Sequence, residues 1–87
     1  MNIETSNLLK KVAAMPVSGV ISFLREQGFN EFNGANGVGF QIEKDLMIDV
    51  KSILISSDSS ETITKVFVST RNRDEDGSII NTTTKAI

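Results

Sequence analysis

Residues 46–55 read LMIDVKSILI, the longest dense run of β-branched and other apolar residues in the chain. Such a run predicts a β-strand, and its apolar density favours a place at the centre of a sheet. The segments before and after this run are more polar. We interpret them as a helical cover and as flanking hairpins of the central strand.

Two short helices are predicted before the central strand. Apolar residues recur at helical spacing over 4–15, Asn2 or Thr5 is a suitable cap, and Pro16 ends this first helix. A second apolar stripe predicts a helix over 18–27. Both helices would present one apolar side to the sheet.

The ends of the second helix carry specific signals. Ser18 is a favourable N-cap, because its hydroxyl can accept a hydrogen bond from a free backbone N–H of the first turn. Gly28 suits the left-handed conformation that ends many helices, and Phe29 would fold back onto Leu24. The sequence therefore predicts a sharp end to this helix.

Three further strands are predicted, over 38–43, 62–71 and 78–86. The last of them is rich in threonine and weakly apolar, which is typical of a sheet edge. The segment 30–39 contains two Asn-Gly steps and predicts a loop, with Phe32 tucked onto the core. Serine-rich residues at 56–61 predict an exposed polar loop.

The apolar pattern also predicts the register of the first hairpin. Pairing Ile42 with Ile48 and Phe40 with Val50 keeps apolar residues on one face, and this register needs a loop of odd length. A two-residue turn would place Phe40 opposite Asp49, so we reject it. The fold class that follows is α+β, with two short N-terminal helices packed on one face of a four-stranded antiparallel β-meander.

The composition excludes several classes of function. The 87 residues predict a single domain over 1–87. The chain has no cysteine and no histidine, so thiol chemistry, most hydrolase triads and most zinc sites are excluded. The net charge of −2 gives no basic footprint for nucleic acid. We predict a protein that is not an enzyme and has no cofactor.

The apolar runs are too short for a membrane span, which needs about 18 residues or more. The N-terminal residues also lack the charged and apolar segments of a secretory signal. The sequence therefore predicts a soluble, cytoplasmic protein with no membrane partner.

The central strand has apolar residues on both of its faces, because alternate side chains of a strand point to opposite sides. Two short helices can cover only one of these faces. A β-bulge near Lys51 and Ser52 would return Ile53 and Ile55 to the covered side. Alternatively, the far face of the sheet carries an apolar patch that docks on a partner. The residues of this candidate patch are Met47, Ile53, Ile55 and Phe67.

The segment 72–83 partly resembles the calcium loop of an EF-hand. Asp74, Asp76 and Gly77 fall at positions that suit the loop, whereas Thr83 stands where a bidentate glutamate is needed. The flanks are predicted strands, so we favour a hairpin turn and predict no metal site. The glycines near 34–39 precede a strand instead of a helix, which argues against a phosphate cradle.

Basic residues of the C-terminal hairpin provide the alternative function. Four of them could bind nucleic acid weakly while Phe67 stacks on a base, although the acidic hairpin tip would repel phosphate. These four residues are Lys65, Arg71, Arg73 and Lys85.

The leading hypothesis is a small, non-enzymatic protein-interaction module. It would act as an inhibitor, adaptor or assembly subunit, of the kind that a phage or mobile element encodes, and would dock on a larger protein. The contact would use a sheet face or strand addition at residues 81–85. A homodimer would bury the same apolar patch, whereas nucleic acid is the disfavoured partner.

Overall fold

A computed structural model shows two helices followed by an antiparallel sheet, and it describes residues 2–55 and 61–87. The predicted α+β class and the antiparallel sheet are confirmed. Within the described residues the sheet has five strands, one more than predicted, and each strand pairs with the next in sequence. The elements are α1 (Ile3–Ala14), α2 (Val17–Glu26), β1 (Asn30–Gly34), β2 (Gly37–Glu43), β3 (Leu46–Leu54), β4 (Thr62–Arg73) and β5 (Ile79–Ala86).

Of the three predicted helix caps, Asn2, Ser18 and Gly28, two are confirmed and one is wrong. Asn2 caps α1 by accepting the backbone N–H of Thr5 at 2.8 Å, and Gly28 follows α2 with a φ of +82°, as predicted. The predicted N-cap Ser18 is wrong, because α2 begins one residue earlier behind Pro16 and has no side-chain cap. The fixed φ of proline supplies the turn that enters this helix.

The additional strand β1 lies where the sequence predicts a loop. It pairs with β2 across a two-residue turn at Ala35 and Asn36. Its residues, NEFNG, are too polar to show the apolar alternation of a buried strand, since β1 is a sheet edge. Phe32 lies directly opposite Gly39 and is 51% exposed, so the predicted burial of Phe32 in the core is wrong.

The hairpin between β2 and β3 contains the two-residue turn that the apolar pattern argues against. The register shifts between Gln41 and Glu43, which shows a β-bulge at Ile42. This bulge compensates for the one-residue offset that the two-residue turn introduces. Beyond this bulge, Phe40 pairs with Ile48 and keeps the apolar residues on one face. The predicted pairing was therefore displaced by two residues along the strand, whereas the apolar face was preserved.

The core lies between the helices and one face of the sheet. Val12 of α1 and two residues of α2 form a cluster with buried residues of the three central strands. These fully or nearly buried side chains are Val12, Val20, Leu24, Phe40, Ile48, Val50 and Val66. Both helices thus lie on the same side of the sheet, as predicted.

The central strand β3 pairs with β4 without interruption from Leu46 to Leu54. A bulge near Lys51 and Ser52 would have broken this register, so that interpretation is wrong. The alternation of side chains continues to the end of the strand, and Ile53 points away from the face that carries Ile48. The predicted serine-rich loop, apart from Glu61, lies outside the described residues.

Two ion pairs connect the elements of the described chain. Arg25, at the end of α2, donates to both carboxylate oxygens of Glu31 in β1, with Nη2 2.9 Å from Oε2. This hydrogen bonding lowers the pKa of Glu31 below its ordinary value. At the other end of the sheet, Arg73 Nε lies 2.9 Å from both carboxylate oxygens of Asp45. No helix among the described residues is long and apolar enough to cross a membrane.

Replacing Gly37 by alanine should destabilise the fold strongly. A Cβ atom at Gly37 would lie 2.0 Å from the carbonyl oxygen of Val50, which belongs to the backbone of the central strand. We expect Gly37→Ala to lower the free energy of unfolding by about 2 kcal/mol or more, measured by urea denaturation.

Gly34, directly opposite Gly37, provides the matched control. A Cβ atom there would lie 3.7 Å from its nearest neighbour, an ordinary contact. Gly34→Ala should therefore leave the unfolding midpoint almost unchanged. Equal effects of the two substitutions would contradict the close approach of β2 to β3.

Candidate functional site

The side of the sheet that faces away from the helices, here called the open face, carries alternate residues of the two longest central strands. The opposite side of the same strands belongs to the core, as Ile48, Val50 and Val66 show. No helix of the described chain covers the open face. Its residues from β3 and β4 are Met47, Asp49, Lys51, Ile53, Ile63, Lys65, Phe67 and Ser69.

The four residues predicted for partner binding lie together on the open face. Met47, Ile53 and Phe67 are half-buried. Ile55 directly follows β3, is 51% exposed, and continues the register by donating its N–H to the carbonyl oxygen of Glu61 at 3.1 Å. The geometry thus gathers the predicted set on one side, although it shows no partner.

Two further apolar residues belong to this surface. Ile63 lies directly opposite Ile53 in the sheet, and Phe32 stands at the β1 end. Alternation along β4 places Ile63 and Val66 on opposite faces, so the position of Ile63 on the open face could be predicted from the sequence. Phe32 had no such signal, since its strand was not predicted.

The centre of the open face is polar. Ser69 donates its hydroxyl to Asp49 Oδ2 at 2.9 Å, and the same hydroxyl lies 3.1 Å from Thr84 Oγ1. This row of hydrogen bonds crosses β3, β4 and β5 and fixes the carboxylate of Asp49. The apolar residues therefore form two groups, with Met47, Phe67 and Phe32 around the row and Ile53 and Ile63 further along β3 and β4.

A shallow groove of about 320 Å³ lies between the β1–β2 hairpin and β3. Met47 and Asp49 extend over Gly39, since a Cβ atom there would lie 2.7 Å from Asp49 Oδ1 and 3.0 Å from Met47 Cε. Phe32 and Lys51 also line the groove. The volume of the groove is large enough for one apolar side chain of a partner, and its lining includes the carboxylate of Asp49 and the ammonium group of Lys51.

The open face also carries two lysines in direct opposition. Lys51 and Lys65 are paired residues of β3 and β4, and both are exposed. Ile55 donates its N–H to Glu61 and Arg71 donates to Asp45, so the odd-numbered residues of β3 turn their backbone groups towards β4. Because this orientation alternates along the ladder, the backbones of Lys51 and Lys65 also form a hydrogen-bonded pair, in which the Cα atoms lie about 5.5 Å apart. Neither lysine has an ion pair among the described residues. Like charges directly opposite each other destabilise a sheet, so this pair costs stability in the free protein.

The basic residues predicted for nucleic-acid binding do not lie on one surface. Lys65 and Arg71 belong to the open face, whereas Lys85 pairs with Val68 and points to the helix side of β5. Arg73 is held in the ion pair with Asp45 and also donates to the carbonyl oxygen of Gly77 at 2.7 Å. The four predicted residues therefore do not share one surface. The basic residue that lies directly opposite Lys65 is Lys51, which was not in the predicted set.

The hairpin between β4 and β5 has the geometry of a turn. Asp74 Oδ1 accepts the backbone N–H of Asp76 at 2.9 Å and that of Ser78 at 3.0 Å, and Gly77 has a φ of +82°. The guanidinium of Arg73 donates a hydrogen bond to the carbonyl oxygen of Gly77. Asp74 Oδ1 and the carbonyl oxygen of Ser78, two oxygens that a calcium loop would use, therefore already have donors from the protein.

Three carboxylates that lie close in sequence, those of Glu43, Asp45 and Asp49, are each engaged with a different partner. Glu43 accepts the hydroxyl of Thr5, Asp45 binds Arg73, and Asp49 accepts Ser69. Among the described residues, no three or more of the side chains that commonly bind metals form a group. The arrangement is that of structural links between strands and helices.

No protein-family model matches the sequence, and no curated protein or solved structure matches the chain. The open face, with its apolar groups and its lysine pair, is therefore the candidate site on the strength of its own geometry.

Removing one charge of the lysine pair should stabilise the protein. We expect Lys51→Gln to raise the free energy of unfolding by about 0.2–1 kcal/mol at low ionic strength, because it relieves the repulsion from Lys65. The gain should shrink as salt screens the charges. Chemical denaturation at low and high salt measures both effects.

Lys85→Gln is the matched control, since Lys85 is exposed on the opposite side of the sheet and lies across from Val68. It should change the free energy of unfolding little at either salt concentration. Destabilisation by Lys51→Gln at low salt would show that Lys51 and Lys65 do not repel each other.

Proposed function

We propose that this protein is a non-enzymatic interaction module whose open face docks on a larger protein. The observation that carries the proposal is the lysine pair set among uncovered apolar residues. A pair of opposed like charges lowers the stability of the free chain, and a bound partner with carboxylates would turn this repulsion into attraction. Residues kept at a cost in stability are often explained by function.

The chemistry of the open face defines the partner's surface. An apolar side chain would enter the groove between Phe32 and Met47, and one or two carboxylates would face Lys51 and Lys65. Ile53 and Ile63 would add apolar contact beyond the lysines. Exposed apolar groups surrounded by polar ones are typical of protein–protein contacts, and opposite charges at the rim accelerate association.

A module of this kind needs no catalytic groups or cofactor. Its action would be to occupy a surface of the larger protein, as an inhibitor, adaptor or assembly subunit does. Strand addition at the exposed edge of the sheet is a separate mode of contact, which leaves the open face free.

Single-stranded nucleic acid is the second candidate for the same face, because Phe67 follows Lys65 on the open face of β4 and lies next to the lysine pair. Aromatic stacking combined with basic residues is typical of such binding. The fixed carboxylate of Asp49, directly opposite Phe67, would repel a phosphate backbone that crosses the strands there. We therefore rank an acidic protein surface above nucleic acid.

Site-specific photo-crosslinking in cells that produce the protein tests the proposal. A crosslinking amino acid at Ile53 should yield a discrete adduct with one protein, and Lys51→Glu in the same chain should remove most of that adduct. The crosslinker at Ile3, which is 77% exposed on α1, is the control and should give no such adduct.

Two outcomes would contradict docking through the open face. One is an adduct of equal yield from Ile3 and Ile53, and the other is an adduct from Ile53 that Lys51→Glu leaves unchanged. Nucleic acid is tested separately by the fluorescence anisotropy of labelled single-stranded oligonucleotides. Binding that falls with salt and with Lys51→Glu would favour the second candidate.

A further inference from the structure

The two edges of the sheet differ in length and in exposure. Within the described chain, β1 is an edge strand of five residues, whereas β5 has eight residues, all of them exposed. No strand follows β5 in the sheet order. The unpaired backbone groups of β5 therefore form the longer free edge of the sheet.

The hydrogen-bonding pattern identifies which groups of β5 point outward. The N–H of Ile87 donates to the carbonyl oxygen of Val66 at 3.0 Å, so Ile87 turns its backbone groups towards β4. In an antiparallel ladder this orientation alternates along the strand. Thr82, Thr84 and Ala86 consequently direct their N–H and C=O groups away from β4.

This part of β5 carries little of the usual protection of a sheet edge. Natural edges are shielded by proline, by charges, by bulges or by short length. The segment 81–87 contains no proline, and its single charged residue is Lys85. The register shift of this hairpin lies at its beginning, between Asn72 and Arg73, and the pairing from Asn81 to Ala86 is regular.

From this edge we infer that the protein forms a two-fold dimer by pairing β5 with β5 of a second copy. The outward N–H and C=O groups belong to Thr82, Thr84 and Ala86, so Thr84 lies at the centre of the free edge. Antiparallel pairing about a two-fold axis at Thr84 places Thr82 opposite Ala86 of the second copy and uses every outward group, in about six hydrogen bonds.

The side chains of this segment fit a second copy better than a charged partner. At the two-fold axis, Thr84 would lie opposite Thr84 of the second copy, a pairing that stabilises antiparallel strands. Lys85 would lie opposite Thr83, so no like charges meet directly. The axis is perpendicular to the sheet, so the two open faces lie on the same side of one continuous sheet.

This inference goes beyond the proposed function and does not depend on it. The dimer uses backbone groups at the edge of β5, whereas the proposed docking uses side chains of β3 and β4. Loss of one contact would leave the other intact, and variants at Lys51 and at Thr84 separate them.

Sedimentation velocity over a wide range of concentrations tests the dimer. The wild-type chain should show a reversible monomer–dimer equilibrium, and Thr84→Pro should weaken it by more than about tenfold, since it removes the N–H at the two-fold axis. That N–H is not part of the β4 ladder, so proline is tolerated on this edge. Thr84→Val, which keeps the N–H, should dimerise within about threefold of wild type.

Cysteine variants test the register without depending on the proline variant's folding, because the natural chain has no cysteine. Under mild oxidation, Thr84→Cys should form a covalent dimer, since directly opposed Cα atoms lie about 5.5 Å apart. Thr83→Cys should form much less, because its diagonal partner is about 7–8 Å away.

A wild-type chain that stays monomeric at millimolar concentration would overturn the inference. So would a dimer that Thr84→Pro leaves intact, or equal crosslinking of Thr83→Cys and Thr84→Cys. Loss of the dimer in Lys51→Glu, with the dimer preserved in Thr84→Pro, would assign self-association to the open face instead of the edge.

Discussion

The structure depends on one constraint, which is that the two short helices of residues 2–55 and 61–87 cover a single side of the five-stranded sheet formed there. Alternation along β3 places Ile48 and Val50 on the covered side and sends Met47 and Ile53 to the other. Burial of the first set drives folding. The second set cannot be reached by either helix, so the described chain leaves an apolar surface open to contact with another molecule.

The parts of the fold that depend on local chemistry could be predicted from the sequence. Asn2 and Gly28 perform the capping roles expected of them, and the dense apolar run at 46–55 is the central strand. The strand β1 could not be predicted, because a short, polar edge needs only its backbone bonds to β2. The bulge at Ile42 could not be predicted either, because the regular apolar alternation over 38–43 gives no sign of an extra residue in the strand.

For the candidate site, the sequence could indicate the residues of each strand that share a face, but not their neighbours across strands. Met47, Ile53 and Phe67 follow from alternation alone. The opposition of Lys51 and Lys65 depends on the β3–β4 register, which is fixed by the length of the connection and by tertiary packing. The division of the alternative basic set depends on register as well, because Lys85 and Lys65 lie on opposite sides of the sheet.

The most direct measurement is the solvent accessibility of isoleucine methyl groups, read by NMR with a soluble paramagnetic agent in dilute protein. We expect strong relaxation enhancement at Ile53, Ile55 and Ile63, with Ile48 protected. If Ile53 and Ile63 were protected as well as Ile48, the sheet would be covered on both sides. The open face, and the function proposed for it, would then be contradicted.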